Sequence, residues 1–257
     1  MIKQGLLVRS AVPAGVLAAG AVAAGVTPIA WATGLVYGVA LVLLTGWGLR
    51  RTGRGGFGPA DWITFARATL VGCAAELIAD GGHPHVWMVG LIAVALLLDG
   101  VDGQVARRTG TSSEFGARFD MEVDAFLILL LCVQVAETFG LWVLAIGLMR
   151  YAFVAASWAM PWLTAPLYPS MARKTVAAVQ GVVLVVAVSE ILPVAWTFAA
   201  VAFALTSLVW SFARDVVWLA RTRVPAARPS AIVAITRATR RRAPNHGTAW
   251  PGHNQAA

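Results

Sequence analysis

LIAVALLLDGVDGQVARRTGTSSEFGARFDMEVDAFLILLLCV, residues 91–133, sets a dense cluster of charge between two apolar runs. Four Asp, two Glu, three Arg and four Gly fall within residues 99–124, in a chain of 257 residues that is 59% hydrophobic and 12% charged. Soluble domains carry about 25% charged residues, so this composition points to a membrane protein, as does the mean hydropathy of +0.74. Each apolar run extends outward far enough to cross a bilayer as a helix, which takes about 20 residues. The stretch therefore reads as a helical hairpin. Its two membrane helices run antiparallel, and the loop RTGTSSE (108–114) brings their charged ends together.

Working outward, eight apolar blocks read as spans: residues 10–27, 29–48, 62–79, 85–106, 116–137, 141–163, 175–190 and 194–219. The predicted fold is all-α, a polytopic membrane helix bundle, and no barrel-type alternation competes with it. The connections alternate in charge. RRTGRGGFG (50–58), ARRTGTSSEFGAR (106–118), SMARK (170–174) and both termini are basic, whereas GVTPI (25–29), ADGGHPH (79–85), ETFG (137–140) and SEILP (189–193) lack Lys and Arg. The positive-inside rule places the basic set, and both termini, in the cytoplasm. The first block also fits a cleaved signal peptide, with small residues near Ala21 to Ala23.

The formal charge of +8 is concentrated towards the C-terminus. Residues 221–257 form a basic tail too polar and Pro-rich to bury a core, which either marks topology or attracts anionic headgroups. No nucleic-acid partner is expected. Cys73 and Cys132 lie inside apolar blocks, and two such thiols make neither a disulfide framework nor a metal cluster. Trp31, Trp142, Trp162 and Trp196 sit near span ends, as interfacial anchors do.

The charged stretch reads as a site. On one helix Asp99, Asp102, Gly103, Ala106 and Arg107 fall on a single stripe, and on the next Gly116, Asp120 and Asp124 do the same. An unpaired Asp in a membrane helix costs about 2.5–3.5 kcal/mol on the insertion scale, so four together need compensation. Arg107 and Arg118 offset part of that charge, and divalent cations, which favour carboxylate oxygens, offset the rest. A two-metal clamp also stabilises the attacking and leaving oxygens in phosphoryl transfer. Upstream, Asp61, Thr64 and Arg67 recur at three-residue intervals on one helical face, just after Pro59.

The spacing Asp99-x2-Asp102-Gly103-x2-Ala106-Arg107-x8-Gly116-x3-Asp120-x3-Asp124 resembles the signature of the CDP-alcohol phosphatidyltransferases at all eight positions. The likeness extends more weakly over residues 59–219. It implies a six-helix catalytic core (residues 51–220) preceded by two N-terminal membrane helices (1–50), and a homodimer. The implied reaction moves a phosphatidyl-type group from a CDP-linked lipid such as CDP-diacylglycerol to an alcohol, releasing CMP, in phospholipid biosynthesis at the cytoplasmic face of the cell membrane. It also implies two divalent cations, Mg2+ or Mn2+, on Asp99, Asp102, Asp120 and Asp124, with Asp124 as catalytic base. Gly103, Ala106, Arg107 and Gly116 would contact the CDP moiety, as would Asp61, Thr64 and Arg67, where the family's usual Asn is Asp61 here.

Arg150 interrupts the sixth block, as an acceptor contact or as the partner of a carboxylate on a neighbouring helix. Arg118, Arg150, Arg173 and Lys174 together would suit an anionic acceptor. His83 and His85 are too few for a metal site. An intramembrane prenyltransferase, which holds a Mg-diphosphate on aspartates, is a rival reading, but DGQVAR (102–107) is not part of its signature. A cation transporter is another, but it would place its carboxylates near the bilayer midplane.

Overall fold

The computed structural model describes residues 15–17, 25–53, 56–81, 85–110 and 113–222, without the side chains of His85, Asp102, Ala106 and Arg107. The first predicted span therefore lies largely outside the described residues, as do His83, the His85 side chain and the basic tail.

Among the described residues the chain is helical throughout, in seven long helices. They are α1 (Pro28–Arg51), α2 (Pro59–Asp80), α3 (His85–Thr109), α4 (Glu114–Phe139), α5 (Leu144–Ala159), α6 (Met171–Ser189) and α7 (Val194–Arg221). Short 3-10 turns, Leu141–Val143 and Pro161–Thr164, flank α5. Six of these regions are long and apolar enough to cross a membrane, and the chain is a multi-pass membrane protein. Helix α4 is as long but carries Glu114, Arg118, Asp120, Glu122 and Asp124 in its first half.

Polar caps outside the apolar blocks set the helix starts, so α2, α4 and α6 begin earlier than hydropathy indicates. Pro59 stands at the first turn of α2. Ser113 caps α4 by accepting from the Gly116 amide at 2.9 Å, and Ser170 accepts from the Arg173 amide at the start of α6. Gly81 ends α2 in the left-handed conformation, φ 65°, which glycine adopts without steric cost. The sixth block breaks at Met160, where the α-helix gives way to the Pro161 turn.

Helix α2 is the most enclosed element. Phe65, Ala68, Val71 and Ala74 are buried in a core shared with Leu127, Leu131 and Cys132 of α4, Leu184 of α6 and Val201 of α7. By contrast Leu35, Trp87, Trp158, Trp196 and Phe203 are exposed on the outside. In water so much apolar surface would drive association; in a bilayer it faces lipid. The central position of α2 matters because it can touch both arms of the charged hairpin.

Candidate active site

Arg67, on the buried face of α2, is 1% exposed. Its guanidinium pairs with Asp99 of α3 through Nη1 and with Asp120 of α4 through Nη2. The same Nη2 lies 3.1 Å from Asp124 Oδ1 and donates to the Asp120 carbonyl at 3.3 Å. One planar fork thus joins three helices, a task suited to arginine's fixed geometry. At 1.5 Å per residue, Arg67, Asp99, Asp120 and Asp124 all sit about 9–15 Å in from the ends of their helices. The site lies towards one end of the bundle.

One oxygen from each of Asp99, Asp120 and Asp124 lies within 4.8 Å of the others. At that separation each pair repels by about 3 kcal/mol for an effective dielectric near 20, and by less where water enters. Three carboxylates against one guanidinium leave a formal charge of −2. Arg67 approaches from the buried side, while the carboxylates are 42%, 37% and 49% exposed. Their open side is therefore available to a cation or substrate. A hard divalent cation matches both the oxygen donors and the residual charge.

The upstream element supports this arrangement. Asp61, 3% exposed, accepts from the Gly58 amide at 2.7 Å and so caps its own helix. A Cβ on Gly116 would lie 2.6 Å from Asp61 Oδ1, so the glycine lets α4 start hard against the α2 cap. Thr64 is buried and donates to the Ala60 carbonyl at 3.2 Å. These residues stand between or within the helices that carry the site. Gly103 is half-buried on α3. Asp102, Ala106 and Arg107 lie on the same helix, but their side chains are outside the described residues.

Among the described side chains, Arg118, Arg150 and Arg173 pair with other carboxylates. Arg118 is exposed and pairs with Glu114 at 2.7 Å. It is two residues from Asp120, about 200° around a helix of 3.6 residues per turn. Arg150 pairs with Glu122 of α4, which is the helix-to-helix partner its intramembrane position calls for. Arg173 pairs with the buried Asp215 at 3.1 Å and donates to the Tyr168 carbonyl. Arg214 shares Asp215 and donates to Ser170 Oγ at 3.2 Å. Lys174 follows Arg173 on the same first turn of α6. The sequence reading missed that Arg67 meets these aspartates, and of the two arginines it weighed against their charge, Arg118 pairs with Glu114 instead. The spacing Asp61-x2-Thr64-x2-Arg67 places Arg67 on a buried face, but that spacing alone does not identify its partners.

Residues 58–210 match the profile described as CDP-alcohol phosphatidyltransferase. The chain belongs to that family, a class of membrane phosphotransferases. It is also similar to ethanolaminephosphotransferase 1 of Homo sapiens, 43% identical over 65 residues. That stretch is 23% of this chain and 16% of the human protein. No solved structure matches the chain.

Proposed function

We propose that this protein transfers a phosphatidyl-type group from CDP-diacylglycerol to an alcohol, releasing CMP, in phospholipid biosynthesis at the cytoplasmic face of the plasma membrane. The observation that carries the reading is the convergence of Asp99, Asp120 and Asp124 above the buried Arg67 guanidinium. Asp99, Asp102, Asp120 and Asp124 would hold two divalent cations, Mg2+ or Mn2+. Bound there, the ions would neutralise pyrophosphate charge and stabilise the departing CMP phosphate.

The chain's own groups supply the rest. Arg67 holds the carboxylates in register from below, so their open oxygens need little reorganisation when substrate arrives. Asp124 stands one turn beyond Asp120 and accepts the proton of the acceptor hydroxyl as that oxygen attacks the lipid-side phosphorus. The depth of the site suits a donor whose acyl chains stay in the bilayer while its nucleotide reaches water. Arg150, Arg173 and Lys174 are the acceptor-side candidates. Of these, Arg173 is joined to Asp215 and Arg150 to Glu122, so an anionic acceptor would have to share those partners.

A second reading comes from the human relative, whose name denotes transfer of an ethanolamine phosphate. In that case a small CDP-alcohol would be the donor and a lipid hydroxyl the acceptor. The test is CMP release by the purified full chain from labelled CDP-diacylglycerol or from CDP-ethanolamine, each with a panel of acceptors, with and without EDTA. Metal-dependent CMP release from CDP-diacylglycerol supports the first reading, and release from CDP-ethanolamine with a diacylglycerol acceptor replaces it with the second. Release from neither would return the prenyltransferase and transporter readings to consideration.

A further inference from the structure

Helix α1 lies outside the residues matched to the family, 58–210. It packs along α2 and meets α4 at two separated points. Near its C-terminal end Gly48 faces Phe115, whose ring would lie 2.6 Å from a Cβ at that position. Eleven residues earlier, Tyr37 meets Phe126 with ring centroids 5.2 Å apart, and its hydroxyl donates to the Ala68 carbonyl at 2.6 Å. Between these contacts, about 16 Å apart along the helix axis, α1 and α4 part. They leave a cavity of ≈ 470 Å³ with Leu41, Leu44, Phe119 and Val123 in its walls.

Arg51 and Arg118 stand at the end of this cavity. The same two residues line a second, polar hollow of ≈ 490 Å³, together with Thr52 and Glu114. An apolar slot thus opens into a polar one, with two guanidiniums at the join. Arg51 lies over the Trp47 ring at 5.1 Å and has no carboxylate partner among the described residues. Arg118 and Glu114 are 71% and 73% exposed, and exposed pairs of this spacing are weak enough to exchange for a phosphate. The one carboxylate deeper in the wall, Glu122, is paired with Arg150. All of this is on the face of α4 turned away from Asp120 and Asp124.

We propose that this cavity binds one anionic phospholipid. An acyl chain occupies the space between α1 and α4, and the headgroup phosphate sits at Arg51 and Arg118. The amphipathic shape selects a lipid over a soluble anion. The two arginines select an anionic headgroup over a zwitterionic one, which would bring a cation of its own to the join.

Trp47 lines the cavity and serves as the reporter. The full chain is reconstituted in phosphatidylcholine vesicles containing increasing fractions of phosphatidylglycerol brominated on its acyl chains. The Trp47 signal is taken as the difference between wild type and Trp47→Phe. We expect quenching that saturates at a low fraction of brominated phosphatidylglycerol, against a linear rise with brominated phosphatidylcholine. Arg51→Gln combined with Arg118→Gln should raise the half-saturating fraction at least about fivefold, the effect of about one basic residue at a membrane surface. Arg50→Gln removes one positive charge a single residue from Arg51, on an exposed position outside the cavity, and should leave it unchanged. Ala40→Phe, which fills the slot, should abolish saturation. Linear quenching by both lipids would overturn the proposal, as would an equal loss in Arg50→Gln, which denotes diffuse surface attraction, or saturation that survives Ala40→Phe. Shielding of Trp47 from both lipids, with Trp47→Cys cross-linking two copies, would overturn it in favour of a protein interface.

Discussion

The Nη2 atom of Arg67 lies 3.1 Å from Oδ1 of Asp124, so the proposed base rests on a guanidinium that is itself 1% exposed. The same fork pairs with Asp99 and Asp120. The carboxylates are thus held from the protein side before any ligand approaches from the open side.

Replacing Arg67 with Met should lower the unfolding free energy by about 1.5–3 kcal/mol, the range for a hydrogen bond to a charged group, because the carboxylates left behind keep an open side to water. Thermal unfolding of the full chain in detergent measures this. Added Mg2+ should recover more stability in the variant than in wild type, because the cation then neutralises carboxylates that have lost their guanidinium. Equal responses to Mg2+ in the two proteins would contradict a shared charge role. Arg67→Lys should fall between them, since a single ammonium cannot reproduce the fork.

Asp124→Asn retains the shape and one ligand oxygen but loses the proton acceptor. CMP release should slow at least about 100-fold, the low end for loss of a general base, with metal-dependent CDP binding preserved. Asp99→Asn and Asp102→Asn should instead weaken metal and CDP binding first. Near-normal turnover in Asp124→Asn would assign the proton to another group.

Gly116→Ala places a methyl 2.6 Å from Asp61 Oδ1 and 3.1 Å from Ser113 Oγ, disturbing two helix caps at once. A loss of about 1–2 kcal/mol is expected in the same unfolding assay. Asp61→Asn keeps an oxygen for the Gly58 amide and should stay within about 0.5 kcal/mol of wild type. If Asp61→Asn proved as damaging as Gly116→Ala, the Asp61 charge rather than its capping oxygen would be the important feature.

Topology is open to thiol labelling, because the native Cys73 and Cys132 are buried. Thr109→Cys, at the exposed end of α3, should react with an impermeant reagent only after the cell membrane is permeabilised. Ile191→Cys, 79% exposed between α6 and α7, should react in intact cells. The reverse pattern would invert the positive-inside assignment.

Hydropathy by itself determined that this is an all-helical membrane protein, and motif spacing put Asp99 and Asp102 on one stripe and Asp120 and Asp124 on another. These properties are local: an apolar block long enough to span is a helix wherever it packs, and residues three or four apart on a helix share a face. Among the described side chains Asp99, Asp120 and Asp124 come together. Tertiary structure decided which cation meets those aspartates. Arg118 and Arg67 have the same charge, and nothing in their spacing ranks them. The packing of α2 against α3 and α4 puts Arg67 beneath the carboxylates, while the turn of α4 carries Arg118 to Glu114 on the opposite face. Likewise Glu122 and Asp215 become the partners of Arg150 and Arg173 through contacts between helices, across 28 and 42 residues of sequence. A buried charge takes whichever opposite charge the packing brings within reach, and that is settled only when the helices assemble.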